Sequence, residues 1–218
     1  MKILTLDVGN TTIHACIYLG ELISLGRFIP PLLPTGRFEN VFVSCVKPSL
    51  NRFILESFPN AKFITSVPIK SFCSNVGLDR LLCALGAITH YGENVIIVNL
   101  GTAITIDLCI NGVFYGGLIL NGLYSSLNCI HLRIPHLPSL KPKKVQILPA
   151  KDTVSAMLSG NFGSVFALLK HCKESWQELF GHSLITLITG GDGHLLSEFG
   201  LYDPLLIHRG MLSALKIQ

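Results

Sequence analysis

Charge is scarce in this sequence. Asp, Glu, Lys and Arg make up 14% of the 218 residues, against 49% hydrophobic residues, and the mean hydropathy is +0.53. Membrane insertion is therefore the first question. The longest charge-free run, residues 108–130, is long enough to span a bilayer. It also contains Asn111, Asn121, Asn128 and four glycines, and reads Asn-Gly twice. Those polar groups would be costly in hydrocarbon, and Asn-Gly marks tight turns. Buried strands joined by turns explain the run, and no membrane partner is expected.

Other absences narrow the function further. No basic segment followed by an uninterrupted apolar stretch opens the chain, so no signal peptide is expected. The seven cysteines, at 16, 45, 73, 83, 109, 129 and 172, are odd in number, scattered, and form no CxxC pair. They read as reduced, mostly buried thiols of a cytoplasmic protein. The eight histidines show no HExxH or similar metal spacing. Net charge is +4, and the clearest basic cluster is "KPKK" at 141–144. It is short and has no interleaved aromatics, so it reads as a solvated loop, and no nucleic-acid partner is expected.

What is present begins at "LTLDVGNTT", residues 4–12. A strand pattern runs into a carboxylate, a glycine and small hydrogen-bonding side chains. Two readings fit: a plain β-hairpin turn, or a phosphate loop. The pattern is written twice. "ILTLDVGNTTIHACIYLGEL" (3–22) and "IIVNLGTAITIDLCINGVF" (96–114) each run strand, Asp or Asn, Gly, small polar residues, second strand, turn. Asp7 falls against Asn99, and Gly9 against Gly101.

Between and after the copies the period changes. "VFVSCV" (41–46) reads as a strand stopped by Pro48. "GLDRLLCALGAITHYG" (77–92) reads as a helix with Leu78, Leu81, Leu82, Leu85 and Ile88 near helical spacing and Gly92 as its stop. Residues 152–181 read as a long helix in which Gly160 and Gly163 imply close packing or a break. "SLITLITGGDG" (183–193) reads as strand then Gly-rich turn, and "HLLSEFG" as a short helix. The length fits one large domain or two small ones, with a substantial core. Mixed strands and helices on both sides of a boundary near 88–95 predict two similar α/β domains, residues 1–90 and 91–218, with a cleft between them.

Glycine lets backbone N–H groups approach a phosphate closely, and the hydroxyls of Thr11, Thr12 and Thr102 add donors. Asp7 repels phosphate but can hold Mg²⁺, usually through water, and the ion then bridges the phosphates.

These residues carry a resemblance. "DVGNT" (7–11), "GLDR" (77–80), "NLGTAITID" (99–107), "GGLILNGL" (116–123), "LP" (137–138), "DTVSAMLSG" (152–160) and "TGGDG" (189–193) stand in the order of the motifs of the type III pantothenate kinases. The chain resembles that family over essentially its whole length. The resemblance implies two actin-like, ribonuclease H-like α/β domains of the sugar kinase/Hsp70/actin-like ATPase superfamily, with ATP in the cleft. It implies transfer of the ATP γ-phosphate to the hydroxyl of pantothenate, in a cytoplasmic homodimer. By the same resemblance Asp7 organises Mg²⁺, and Gly9, Asn10, Thr11, Thr12, Gly101 and Thr102 lie at the ATP phosphates. Gly190 and Gly191 lie near adenosine. Asp79 is the general base. Gly77, Leu78, Asp79, Arg80 and Thr153 form the pantothenate site, with Arg80 suited to the substrate carboxylate. From the residues alone, Asp79 also fits a cap of the following helix, Arg80 a surface residue or helix ion pair, and Thr153 a helix N-cap.

Three departures stand out. Asn99 occupies the position of a family Asp associated with a monovalent cation, K⁺ or NH₄⁺. Asn121 stands in place of Pro in G-G-x-I-x-P-G-L. The stretch before "GLDR" is the short "FCSNV", where the family often has Asn-Pro and a substrate-contacting Tyr.

Overall fold

The computed structural model describes residues 2–147 and 149–217. They form two compact units: residues 2–93 with 111–115 and 205–217, and residues 94–110 with 116–147 and 149–204.

The first unit is built on a five-stranded sheet. Its central strand β1 (Ile3–Val8) is buried along its length apart from a half-buried Asp7, as a mid-sheet strand covered on both faces must be. β2 (Ile13–Tyr18) pairs antiparallel with β1, and β3 (Leu22–Phe28), mostly exposed, forms the edge beyond it. On the other side lie β4 (Asn40–Cys45) and β5 (Ala61–Phe63), both parallel. The order is β3-β2-β1-β4-β5. Helix α1 (Asn51–Ser57) closes one core through Ile54, which packs with Leu4, Leu6, Val8, Val41 and Val43. A short strand β6 (Lys70–Ser71) pairs with Val113 and Phe114. Helix α2 (Leu78–His90) follows it.

The second unit repeats the plan. β7 (Val95–Leu100) and β8 (Ala103–Ile110) form an antiparallel hairpin, and β9 (Val113–Asn121) is the next strand out. β10 (Ile185–Thr189) and β11 (Leu201–Tyr202) add on the other side of β7, both parallel. The order β9-β8-β7-β10-β11 is that of the first sheet, strand for strand. Helix α3 (Leu123–Arg133) follows β9, and α4 (Thr153–Phe180) supplies Phe162, Val165 and Leu169 to a core with Ile96, Val98 and Ile104. Residues Gly193–Phe199 form a 3₁₀ helix. The last helix, α5 (Leu206–Ala214), belongs to the first unit.

The apolar run at 108–130 becomes the end of β8, all of β9 and most of α3. No helix among the described residues is long and apolar enough to cross a membrane. The expected long helix is α4, unbroken. Asp152 is its N-cap, accepting from the Ser155 backbone N–H at 2.9 Å, so Thr153 is the first helical residue and not the cap. Gly181 ends it at φ +67°, the left-handed conformation that glycine adopts most readily. Gly163 packs close to Ile147, 3.2 Å from where a Cβ would stand, while Gly160 faces open space.

Helix α2 departs from the leucine stripe expected of it. Its fully buried residues are Leu82, Cys83, Ala84, Gly86 and Ala87. The reason is close helix packing. A Cβ on Gly86 would stand 2.6 Å from the Leu206 carbonyl oxygen, and one on Gly210 would stand 1.9 Å from that of Leu82. Helices α2 and α5 meet backbone to backbone at these two glycines, and of the expected stripe Leu82 is buried while Leu78, Leu81, Leu85 and Ile88 are half-buried.

Candidate active site

Asp7 is the last but one residue of β1, where the parallel register sets Ser44 beside it and the antiparallel register sets His14 beside it. The chain then turns. Gly9 N–H donates to the Thr12 carbonyl at 3.0 Å, and a Cβ on Gly9 would lie 3.2 Å from that oxygen. The turn leaves Asn10 and Thr11 exposed, with Gly9 and Thr12 half-buried. The Lys47 ammonium donates to the Asn10 carbonyl at 3.2 Å.

Asp79 lies in the first turn of α2, whose N-cap is Gly77. A Cβ on Gly77 would stand 2.5 Å from Asp79 Oδ1, so the missing side chain is the space in which the carboxylate rests. The positive end of the helix favours a carboxylate at this place. Asp79 and Asp7 are electrostatically linked. Burial, then the Asp79 charge, push the Asp7 carboxyl up to about 7, and the Arg27 guanidinium opposes the rise. Two carboxylates that repel each other in a partly dry site are a donor set for a divalent cation, whose charge relieves both costs. Arg80, next in the helix, lays its guanidinium over the Phe114 ring, 5.7 Å from the centroid.

The second unit repeats the turn. Gly101 N–H donates to the Ala103 carbonyl at 3.0 Å, as Gly9 does in the first. The exposed Thr102 has its carbonyl held by Gly122 N–H at 3.0 Å and by Ser125 Oγ at 2.8 Å. The start of α3 therefore fixes the loop. A Cβ on Gly122 would stand 2.1 Å from the Gly101 carbonyl oxygen, and one on Gly117 would stand 2.1 Å from that of Ile106 and 2.6 Å from Asp107 Oδ1. Those contacts account for two glycines of "GGLILNGL". Asp107 is buried at 1% exposure.

Asn99 and the Gly-rich turn after β10 come together in the same unit. Thr189 pairs with Asn99 in the parallel register. Gly190, at φ +91°, passes so close that a Cβ would stand 2.3 Å from the Leu100 carbonyl oxygen and 2.5 Å from Asn99 Oδ1. Asp192 N–H donates to the Leu100 carbonyl at 3.1 Å, and Gly191 is exposed. Thr153 stands exposed at the start of α4, on a separate element from these loops.

The structure thus gathers Asp7, Gly9–Thr12 and Gly77–Arg80 in the first unit, and Asn99–Thr102 with Gly190–Asp192 in the second. Sequence reasoning missed Lys47 and Arg27. Lys47 had a signal: β4 runs parallel to β1, so its end must fall beside the loop that follows β1. Arg27 had none, since its influence on Asp7 depends on where β3 lies in the sheet.

Comparison with known proteins gives the same direction. Residues 3–175 match the type III pantothenate kinase family. The type III pantothenate kinase of Aquifex aeolicus is 31% identical over 99% of this chain and 97% of its own length. Among solved structures, a conserved Campylobacter jejuni protein described as a Baf family transcriptional activator covers 98% of this chain and 97% of its own, with TM-score 0.74 and 25% identity. The ethanolamine utilization protein EutJ of Carboxydothermus hydrogenoformans, at 11% identity, covers 98% of this chain and 90% of its own with TM-score 0.55 and shares the fold alone. The doubled sheet is the actin-like, ribonuclease H-like α/β fold. With its two Gly-turn loops, its Asp7–Asp79 pair and a family match covering most of its length, this chain belongs to the type III pantothenate kinase family.

Proposed function

We propose that the protein transfers the γ-phosphate of ATP to the hydroxyl of pantothenate, giving 4′-phosphopantothenate, the first step of coenzyme A synthesis. The observation that carries the reading is the linked Asp7–Asp79 pair beside a phosphate loop. Asp7 is the residue to hold Mg²⁺, which supplies charge neutralisation at the phosphates when bound with ATP. Gly9, Asn10, Thr11, Thr12, Gly101 and Thr102 hold the phosphates, and Lys47 adds a cation to the first loop. Gly190 and Gly191 take the adenosine side. Asp79 accepts the proton of the pantothenate hydroxyl as its oxygen attacks the γ-phosphorus and the bond to ADP breaks. Gly77, Leu78, Arg80 and Thr153 hold pantothenate, with Arg80 on its carboxylate. The domain built on residues 1–90 carries the first loop, and that within 91–218 carries the second. We read the protein as a cytoplasmic homodimer.

Asn99 bears on the monovalent cation. Its amide oxygen offers a ligand without charge, so a K⁺ or NH₄⁺ site there is weaker than one built on Asp.

Release of ADP measured with and without pantothenate tests the whole reading. Turnover that depends on pantothenate is expected, and Asp79→Asn should lower kcat by about 10²–10⁴ while ATP still binds. ADP release indifferent to pantothenate would overturn it. Asn99 and the likeness to a protein described as a transcriptional activator favour one second reading, a catalytically weakened relative that binds another protein. That reading requires negligible turnover in the same assay at every K⁺ concentration.

A further inference from the structure

The core of the first unit contains a polar cluster that the kinase reading does not use. His14 is 5% exposed, and Thr5, Cys16 and His208 are fully buried. His14 and Cys16 are two apart on β2, so both side chains point to one face of the sheet. Thr5 comes from β1 and His208 from α5. The two imidazoles meet edge to face, ring centres 4.7 Å apart.

The hydrogen bonds fix one ring and leave the other with a choice. The Thr5 hydroxyl donates to the Cys16 carbonyl at 3.3 Å. It therefore accepts from His208 Nδ1–H, 2.8 Å away. His208 Nε2 is left with a lone pair, and it points at His14 Nδ1 at 3.1 Å. A metal-binding histidine is held in this way, with one ring nitrogen donating outward so that the other is presented to the ion. His14 has two tautomers open to it. Its Nε2 lies 3.0 Å from Ser24 Oγ, and that hydroxyl already accepts from Gly26 N–H at 3.2 Å. Rotation of the Ser24 hydroxyl exchanges the donor in this contact and frees either nitrogen of His14. Cys16 Sγ lies 3.9 Å from His14 Nε2. One ligand atom from each of the three side chains can be chosen with no two more than 4.8 Å apart. Bonds of about 2.0 Å to nitrogen and 2.3 Å to sulfur need separations of about 3.3–3.8 Å, so the facing imidazole nitrogens, at 3.1 Å, must part slightly while any wider separation, up to 4.8 Å, closes.

We propose that His14, Cys16 and His208 form a buried binding site for a soft monovalent metal ion, copper in its +1 state. Charge and ligand count select it. One thiolate and two neutral imidazoles make a neutral complex with Cu⁺ and a positively charged one with Zn²⁺, with the Asp7 carboxyl opposite His14 in the β1–β2 register. Arg27, directly opposite His14 across the β2–β3 register, adds to the cost of a second charge. Structural zinc takes four ligands, and the cluster among the described residues has three. Thiolate with imidazole suits Cu⁺. Ser24 is exposed on the edge strand, so His14 is one hydrogen bond from solvent and the ion has a way in.

The test is anaerobic titration of the full-length protein with Cu⁺ buffered by bathocuproine disulfonate, with a parallel Zn²⁺ titration. One equivalent of Cu⁺ per chain should be withdrawn from the chelator, with a rise in Tm on loading. X-ray absorption should report one sulfur and two nitrogen ligands. Cys16→Ser, close in shape, should lose Cu⁺ affinity by more than the 10- to 100-fold, roughly, that an outer-shell change costs. If that variant does not fold, as judged by circular dichroism without copper, Cys16→Ala takes its place. Cys73 and Cys129 are the exposed thiols, and the double variant Cys73→Ser/Cys129→Ser should bind as the native protein does. Copper retained by Cys16→Ser, or lost with the exposed thiols, overturns the site. So does tighter retention of Zn²⁺ than of Cu⁺. Failure to take any metal from the chelator also overturns it, and leaves the cluster a metal-free hydrogen-bond chain.

Discussion

Asp7 sits where ionisation is expensive. Its carboxyl titrates near 7 in the folded, Mg²⁺-free protein, against 3.8 ordinarily. Between those values the folded state binds the extra proton, so stability falls as pH rises through that window and stays low above it. The full shift corresponds to an upper bound of about 4 kcal/mol. In EDTA, Asp7→Asn should therefore raise Tm at pH 8 and change it little at pH 4, as read by thermal melts; an equal gain at both pH values would detach the cost from ionisation. Gly77 has a more local task. Ala there puts a methyl 2.5 Å from Asp79 Oδ1, so Gly77→Ala should lower kcat with little change in the KM for ATP. A rise confined to that KM would mean the carboxylate had kept its place. For Asn99, we expect a shallow response of the ATP KM to KCl at constant ionic strength, and a steeper one in Asn99→Asp. A steep native response that the substitution leaves unchanged would put the cation elsewhere. Asp7, Gly9 and Asp79 were legible because each stands in a short motif. The His14–His208 contact was not, because 194 residues separate its members and each alone reads as an isolated histidine in an apolar stretch.

Among the elements, glycine is the lesson. Gly160 and Gly163 drew notice inside a helix pattern, yet α4 runs through both. The tightest helix seam lies instead at Gly86 and Gly210, where α2 and α5 approach backbone to backbone. Leucine spacing identified α2 as a helix but not which face would be buried, since a partner this close selects small residues over large ones. Two substitutions separate the cases. Gly160→Ala, exposed and with nothing near its Cβ, should stabilise by about 0.5–1 kcal/mol. Gly210→Ala places a methyl 1.9 Å from a backbone oxygen and should destabilise by about 1–3 kcal/mol or more. Urea unfolding of both variants decides it, and equal effects would remove the distinction.

For the whole molecule, the written repeat foretold a repeated sheet: the same strand order appears twice around β1 and around β7. What no repeat could announce is where the last helix goes. The first unit takes residues 2–93, leaves the chain to the second unit, and recovers α5 from residues 205–217. The two halves of its helix seam, Gly86 and Gly210, thus lie in the sequence on either side of the whole second unit. Removal of residues 205–218 should strip amide-exchange protection from α2 and β1 while β7, β8 and β10 keep theirs; uniform loss in both units would contradict that division. The division also sets a timetable on the ribosome. The strand bearing Asp7 is made well before the helix that covers it, with the whole second unit between them, so the nascent chain carries an open seam while that unit is synthesised. A growing chain of this kind needs protection in that interval, and it can complete the fold around Asp7 only when α5 has emerged.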